Sequence, residues 1–251
     1  MTIKLSKIFF EVHSGLPREG PGDNESTRKA YMMLSNLPQN PKILDIGCGP
    51  GMQTRWLAHL SNSSIAAVDN HQPFLDQLTE AAEAEGISDR IHVVKGDMTS
   101  LNYADGSFDV VWSEGSIFII GFEKGLRDWK RLLAPRGYLV TSHASWLKPD
   151  PPEEVKRFWA EVDSSITTIQ QNLEIATRAG YDVVGYFVLP EKSWWDNYYT
   201  PILEKLPALR KAHAGDEEAL RYVEFEELEI DMFRRYSDYY GYVFYVLQSR
   251  G

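Results

Sequence analysis

The chain has 251 residues, with 26 Lys plus Arg against 36 Asp plus Glu, so its formal net charge is −10. At 43% hydrophobic and 25% charged residues it has ample apolar material for a core, which excludes disorder throughout. No apolar run approaches the roughly 20 residues that span a bilayer, and the acidity argues against nucleic-acid or anionic-membrane partners. The one cysteine, Cys48, allows neither an internal disulfide nor a multi-cysteine zinc site. Residues 1–10 carry two lysines but no apolar stretch long enough for a secretory signal. A reducing, cytoplasmic location is the expectation.

In chain order, a Gly/Pro-rich loop over 15–22 (GLPREGPG) precedes a helix expected from about Ser26. From residue 42, short apolar runs alternate with amphipathic stretches. Residues 42–47 (KILDIG), 64–69 (SIAAVD), 91–95 (IHVVK), 108–113 (FDVVWS) and 137–142 (GYLVTS) read as buried strands. Between them, Phe74, Leu75, Leu78, Ala81 and Ala82 recur at helical spacing. Phe122, Leu126, Trp129, Leu132 and Leu133 do the same. Such alternation implies right-handed βαβ crossovers, hence an α/β fold with a mostly parallel, doubly wound sheet and helices on both faces.

After residue 145 the rhythm changes. Pro151 and Pro152 followed by Glu153 and Glu154 mark a helix start, running to about Phe158. A second helix is expected over 168–179, with Gly180 as its C-terminal cap. Residues 182–189 (DVVGYFVL) and 242–247 (YVFYVL) read as a sixth and a seventh strand. Between them, 194–240 is aromatic and charged, with two helices broken near 214–215. We read one domain over 1–251. Residues 1–40 form an N-terminal extension or lid, 41–145 a ligand-binding core, and 146–251 the remaining strands with a helical insertion.

The strongest motif is residues 43–51, ILDIGCGPG, where a strand ends and a helix begins. Its glycines permit a tight turn and close approach of a ligand to the backbone. The following helix points its positive end at that ligand. A dinucleotide fingerprint would need a small residue at position 52; Met52 stands there, which weakens a nicotinamide or flavin oxidoreductase reading.

The pattern hydrophobic–Asp–x–Gly–x–Gly–x–Gly at 44–51 resembles that of the class I S-adenosylmethionine-dependent methyltransferases, most of all the small-molecule branch called type 11. The core resemblance covers roughly residues 40–145. It implies a Rossmann-like seven-stranded sheet whose last strand is antiparallel. It also implies S-adenosyl-L-methionine as cofactor, S-adenosyl-L-homocysteine as product and a small-molecule acceptor. Gly47, Cys48, Gly49 and Gly51 line the cofactor in this reading. Asp45, inside a buried strand end, binds loop N–H groups or helps hold the methionine ammonium. Asp69, 18 residues past Gly51, accepts from the ribose hydroxyls, although Asp is also a good N-cap. Asn70 and His71 flank the adenosine, with a plain surface histidine the equal alternative for His71. Asp97 accepts the adenine amino group, and Met98 follows it at the ring.

Glu114 ends the fourth strand, where cofactor and acceptor meet in the family. It is a candidate to face the sulfonium, orient the acceptor or act as base, beside the plainer reading of a salt bridge to the N-terminal segment. His143, beyond the fifth strand, is a candidate base because an unperturbed imidazole titrates at about 6.5, although a packed or surface histidine is the more common fate. In residues 133–137 (LAPRG), Arg136 stands where the family's turn has glycine. No cluster has metal-ligand spacing. Phe9, Phe10, Trp146, Trp159, Trp194, Trp195, Tyr198 and Tyr199 lie in the flanking segments, where rings can hold an apolar acceptor or a cationic amine or simply seal the insertion to the core. Arg18 and the glycines of residues 20–22 are candidates for a lid. The competing reading is a non-catalytic protein that binds the cofactor or its product and acts through a partner.

Overall fold

The computed structural model describes residues 7–250; the signal reading of residues 1–10 therefore lies partly outside the described residues. The sheet grows outward from β1 (Lys42–Ile46), where every residue after Lys42 is buried. Before it come α1 (Lys7–His13) and α2 (Asn24–Tyr31), the latter capped by Asp23, whose side chain accepts from the Ser26 N–H. The chain then alternates α3 (Met52–Leu60), β2 (Ser64–Asp69), α4 (Gln72–Ala84), β3 (Ile91–Lys95), β4 (Phe108–Glu114), α5 (Phe122–Lys130) and β5 (Leu133–Trp146). It continues through α6 (Glu153–Val162), β6 (Thr167–Thr168), α7 (Ile169–Arg178), β7 (Tyr181–Val188), α8 (Lys192–Trp194), α9 (Thr200–Ala212), α10 (Glu217–Tyr236) and β8 (Tyr240–Ser249).

Strand order is β3-β2-β1-β4-β5-β8-β7, with β6 pairing the end of β5. The pairings of β1 with β2 and β4, of β2 with β3 and of β4 with β5 are parallel; β8 runs antiparallel between β5 and β7. The chain leaves β1 in one direction for β2 and β3, then returns on the other side for β4. A crevice therefore opens where the carboxyl ends of β1 and β4 part company.

Strand alternation sorts the core into two faces. Ile43, Ile65, Val110 and Val140 face one way, in a cluster that includes residues of α1, α3, α4, α9 and α10. Leu44, Ile46, Val111 and Leu139 face the other, with Leu126 and Trp129 of α5 and Ala176 of α7. This is the expected doubly wound sheet with a reversed last strand, extended by the two-residue β6.

Some boundaries differ from expectation. β5 runs four residues beyond 137–142 at each end; on the carboxyl side β8 pairs it from Tyr138↔Gln248 to Trp146↔Tyr240, which holds 143–146 extended. α1 carries no readable periodicity at seven residues. The segment Trp195–Tyr199 is a π-helical turn joining α8 to α9.

Candidate active site

The loop after β1 is shaped by its own backbone. The Gly47 and Cys48 N–H groups both donate to the Val68 carbonyl, and Gly51 N–H donates to Cys48 O. Gly47 has φ +71°, and a Cβ there would lie 2.4 Å from Ser116 Oγ. Gly51 has φ +79°, and a Cβ would lie 2.3 Å from Leu78 Cδ1. Only glycine fits either place. Cys48 has its thiol buried and its N–H engaged, and burial pushes its pKa up.

Asp69 fastens this loop to the end of β2. Its Oδ2 accepts from Gly49 N–H at 3.0 Å and its Oδ1 from His71 N–H at 2.9 Å. It is not the N-cap of α4; His71 holds that place and caps with no side-chain bond. Asn70 is exposed beside it. His71 stacks on Phe10 with ring centroids 3.7 Å apart, so one face of the imidazole is covered by the N-terminal helix. One strand further, Asp97 is exposed, and its Oδ1 accepts from Thr99 N–H and Oγ1, which lowers its pKa. Met98 gives its carbonyl to Trp129 Nε1 at 3.2 Å and brings its methyl near Gly47.

Asp45 is fully buried and takes its hydrogen bonds from α3, not from loop N–H groups: Thr54 Oγ1 at 2.6 Å and Gln53 Nε2 at 3.3 Å. Its Oδ1 has no partner among the described residues. Burial, reinforced by the Glu114 charge, pushes its carboxyl up to about 7. Glu114 shares its sheet face, because Asp45 pairs with Trp112 in register. Its Oε2 meets Arg18 Nη1 at 2.5 Å; its Oε1 accepts from Thr27 Oγ1 at 2.8 Å and Trp112 Nε1 at 2.9 Å. A carboxylate so fully engaged does not serve as a base. The plainer expectation, a salt bridge to the N-terminal segment, is the geometry found.

His143 needs a correction too. Glu114 pairs with Ser142, so His143 points to the opposite face of the sheet. There it stacks on Phe122 at 4.9 Å with neither ring nitrogen hydrogen-bonded among the described residues; Asp163 Oδ2 is 3.9 Å from Nδ1. Burial outweighs Asp163 and lowers its pKa to about 4. It is a neutral core imidazole, not a base at the crevice.

Two residues that sequence reasoning passed over also meet here. Glu19 packs its Cγ over Gly49 and feels the Asp69 charge. His13 Nδ1 lies 3.2 Å from Glu19 Oε2, and its Nε2 lies 3.4 Å from Glu226 Oε1. Phe10, Arg18 and Glu19 thus bring the N-terminal segment over the glycine loop and the end of β4. The aromatic seam is present: Trp194 stacks on Phe233 at 4.2 Å and meets Tyr242 edge-on at 5.0 Å. A hollow of about 640 Å³ lined by Asp105, Lys130 and Arg131 lies at the amino ends of β4 and β5, away from this chemistry. Among the described residues, no helix is long and apolar enough to cross a membrane.

The residues at the carboxyl ends of β1, β2 and β3 suit an adenosyl cofactor with a charged amino-acid tail. The glycine loop turns through left-handed backbone, and beside it Asp45 keeps one buried oxygen unpartnered among the described residues.

Comparison with known proteins agrees. Residues 44–141 match the model of a family described as "Methyltransferase domain". Sterol 24-C-methyltransferase erg-4 of Neurospora crassa is 27% identical over 180 residues, 68% of this chain and 47% of that protein. Methyltransferase GfsG of Streptomyces halstedii is 32% identical over 115 residues, 45% of this chain and 41% of that one. The chain spans less than half the length of these curated relatives. Among solved structures, a SAM-dependent methyltransferase from Geobacter sulfurreducens in complex with S-adenosyl-L-homocysteine superposes with a TM-score of 0.83. It is 24% identical, and the match covers 99% of this chain and 100% of that one.

Proposed function

We propose that this chain, whose residues 44–141 belong to the type 11 methyltransferase-domain family, is an S-adenosylmethionine-dependent methyltransferase acting on a small-molecule acceptor. The observation that carries the reading is the tether of Asp69 to Gly49 N–H, which sets a carboxylate beside the glycine loop with Asp97 one strand away. The cofactor, when bound, supplies a methyl group already activated on a sulfonium sulfur, leaving S-adenosylhomocysteine. The chain's own task is positional. In this reading Asp69 holds the ribose, Asp97 the adenine edge, and Asp45 the amino-acid end behind Gly47 and Gly49. Residues 1–40 and 146–251 cover the crevice, exclude water and hold the acceptor, within one domain. Positioning alone can supply on the order of 7–11 kcal/mol, so the engagement of Glu114 and the burial of His143 leave the reading intact. A cytoplasmic location is part of the proposal.

Calorimetric titration with S-adenosylmethionine, S-adenosylhomocysteine and NADH tests it, with Asp69→Ala as control. Binding of the first two, lost in the control, is the expected result. Binding of NADH alone, or of none, overturns it. Formation of S-adenosylhomocysteine on addition of an acceptor then separates turnover from mere binding.

A further inference from the structure

We propose that the acceptor is an amine bound as its cation, held by the carboxylates of Glu226 and Glu229 among the rings of Tyr198, Tyr199 and Tyr242. An ammonium nitrogen has no lone pair, so one of its protons would pass to Glu229 and the freed pair would take the methyl group, the S–CH3 bond breaking to leave S-adenosylhomocysteine. This deepens the methyltransferase reading and rests on it.

The argument begins with placement. Tyr242 lies against Gly115, the residue after Glu114, so the cluster adjoins the end of β4. On its other flank Glu19 lies over Gly49. The carboxylates come from α10, three residues apart and so on one helical face. Glu226 is 2% exposed and gives one oxygen to His13. Glu229 accepts from Tyr199 Oη at 3.1 Å. Tyr198 is buried, with its ring 5.2 Å from that of Tyr199 and 5.7 Å from that of His13.

Charge and hydrogen bonding then leave a deficit. Glu19, Glu226 and Glu229 gather around one buried cation, His13. Lys205, near Glu19, donates to the carbonyls of Val12 and Ser14 at the rim. Glu226 Oε2 and the Tyr240 hydroxyl are buried with no hydrogen-bond partner among the described residues, and Tyr240 feels the Glu229 charge. Burial and Glu226 together hold the Glu229 carboxyl up at about 7. Buried carboxylates need a counter-charge and donors. An alkylammonium supplies both, and ring faces favour it further. An apolar acceptor would leave those oxygens unpaired.

The test compares 2-(dimethylamino)ethanol, a cation with one N–H at neutral pH, with its uncharged isostere 3-methylbutan-1-ol by calorimetry, with and without S-adenosylhomocysteine. The amine is expected to bind at least tenfold more tightly. Glu226→Gln and Glu229→Gln are each expected to cut that preference at least fivefold while S-adenosylhomocysteine affinity stays within twofold. Should Glu226→Gln fail to fold, the less buried Glu229→Gln carries the test. Equal binding of the two probes, no binding of the amine, or a preference intact in the folded variants overturns the proposal. Failure of the wild-type chain to bind S-adenosylhomocysteine overturns the methyltransferase reading instead, and the comparison without it still scores the charge preference.

Discussion

Arg18 Nη1 lies 2.5 Å from Glu114 Oε2, with both side chains only 4% exposed. This ion pair ties the N-terminal loop to the end of β4, 96 residues away. Thr27 Oγ1 accepts from Arg18 Nη2 and donates to Glu114, closing a triangle. Breaking a buried pair from one side leaves an uncompensated charge, at a cost of about 3–5 kcal/mol. Arg18→Ala is therefore expected to lose about that much in urea unfolding. Adding Glu114→Gln to it should recover part of the loss, because the stranded charge is gone. An additive double mutant would show that the two side chains do not act as a pair.

Gly51→Ala places a Cβ on Leu78 in a left-handed backbone. Strain and overpacking together are expected to cost about 2–4 kcal/mol. Denaturant midpoints measure this, and titration with S-adenosylhomocysteine should show weaker binding as the loop shifts. A midpoint unchanged from wild type would mean that α4 yields without cost.

What the sequence made legible follows from the range of the forces involved. β2 and β3 fall on the expected residues because short β-branched runs bounded by polar residues carry their own signal. The glycine loop and Asp69 were readable because a local motif holds them. The face that His143 takes is not legible in the sequence because one residue of strand parity decides it, and parity is set by the pairing Glu114↔Ser142. Arg18 meets Glu114 only through tertiary structure. Glu226 sits in an acidic run, EFEELE, that reads as a solvated helix face until α1 and α9 pack against α10.

Asp97 should separate binding from folding. Asp97 is exposed, and among the described residues its carboxylate is bonded within its own turn. Asp97→Ala is expected to weaken S-adenosylhomocysteine about tenfold, the worth of one charge-assisted hydrogen bond, with the thermal midpoint unmoved. A shifted midpoint, or full affinity, would remove Asp97 from the cofactor site.

His143→Leu should stabilise the fold. The neutral imidazole is buried with two unpartnered nitrogens, a burden of about 1–3 kcal/mol. Its pKa falls to about 4, so between about 4 and 6.5 the unfolded chain holds a proton that the folded chain does not. Stability from this group therefore rises with pH across that window. His143→Leu is expected to unfold at a higher urea concentration than wild type, with the gain larger at pH 5 than at pH 7. A loss at both would mean that the ring makes polar contacts the fold depends on.

His13 works in the opposite sense. Burial opposes its charge, but Glu19 and Glu226 outweigh burial and raise its pKa to about 9. Between about 6.5 and 9 the folded chain holds a proton that the unfolded chain has lost. Its contribution is complete below 6.5 and disappears as pH rises through 9. A shift of this size corresponds to about 3 kcal/mol. Asp45, raised to about 7, also lowers stability as pH rises, but its window ends near 7. The loss from pH 7.5 to 9.5 thus belongs chiefly to His13. Urea unfolding across that range should show it in the wild-type chain. His13→Gln should be less stable at pH 7, with Glu19 and Glu226 deprived of their cation, yet nearly flat from 7.5 to 9.5. A variant whose stability still falls by the wild-type amount would place the titrating group elsewhere and leave His13 neutral between its two carboxylates.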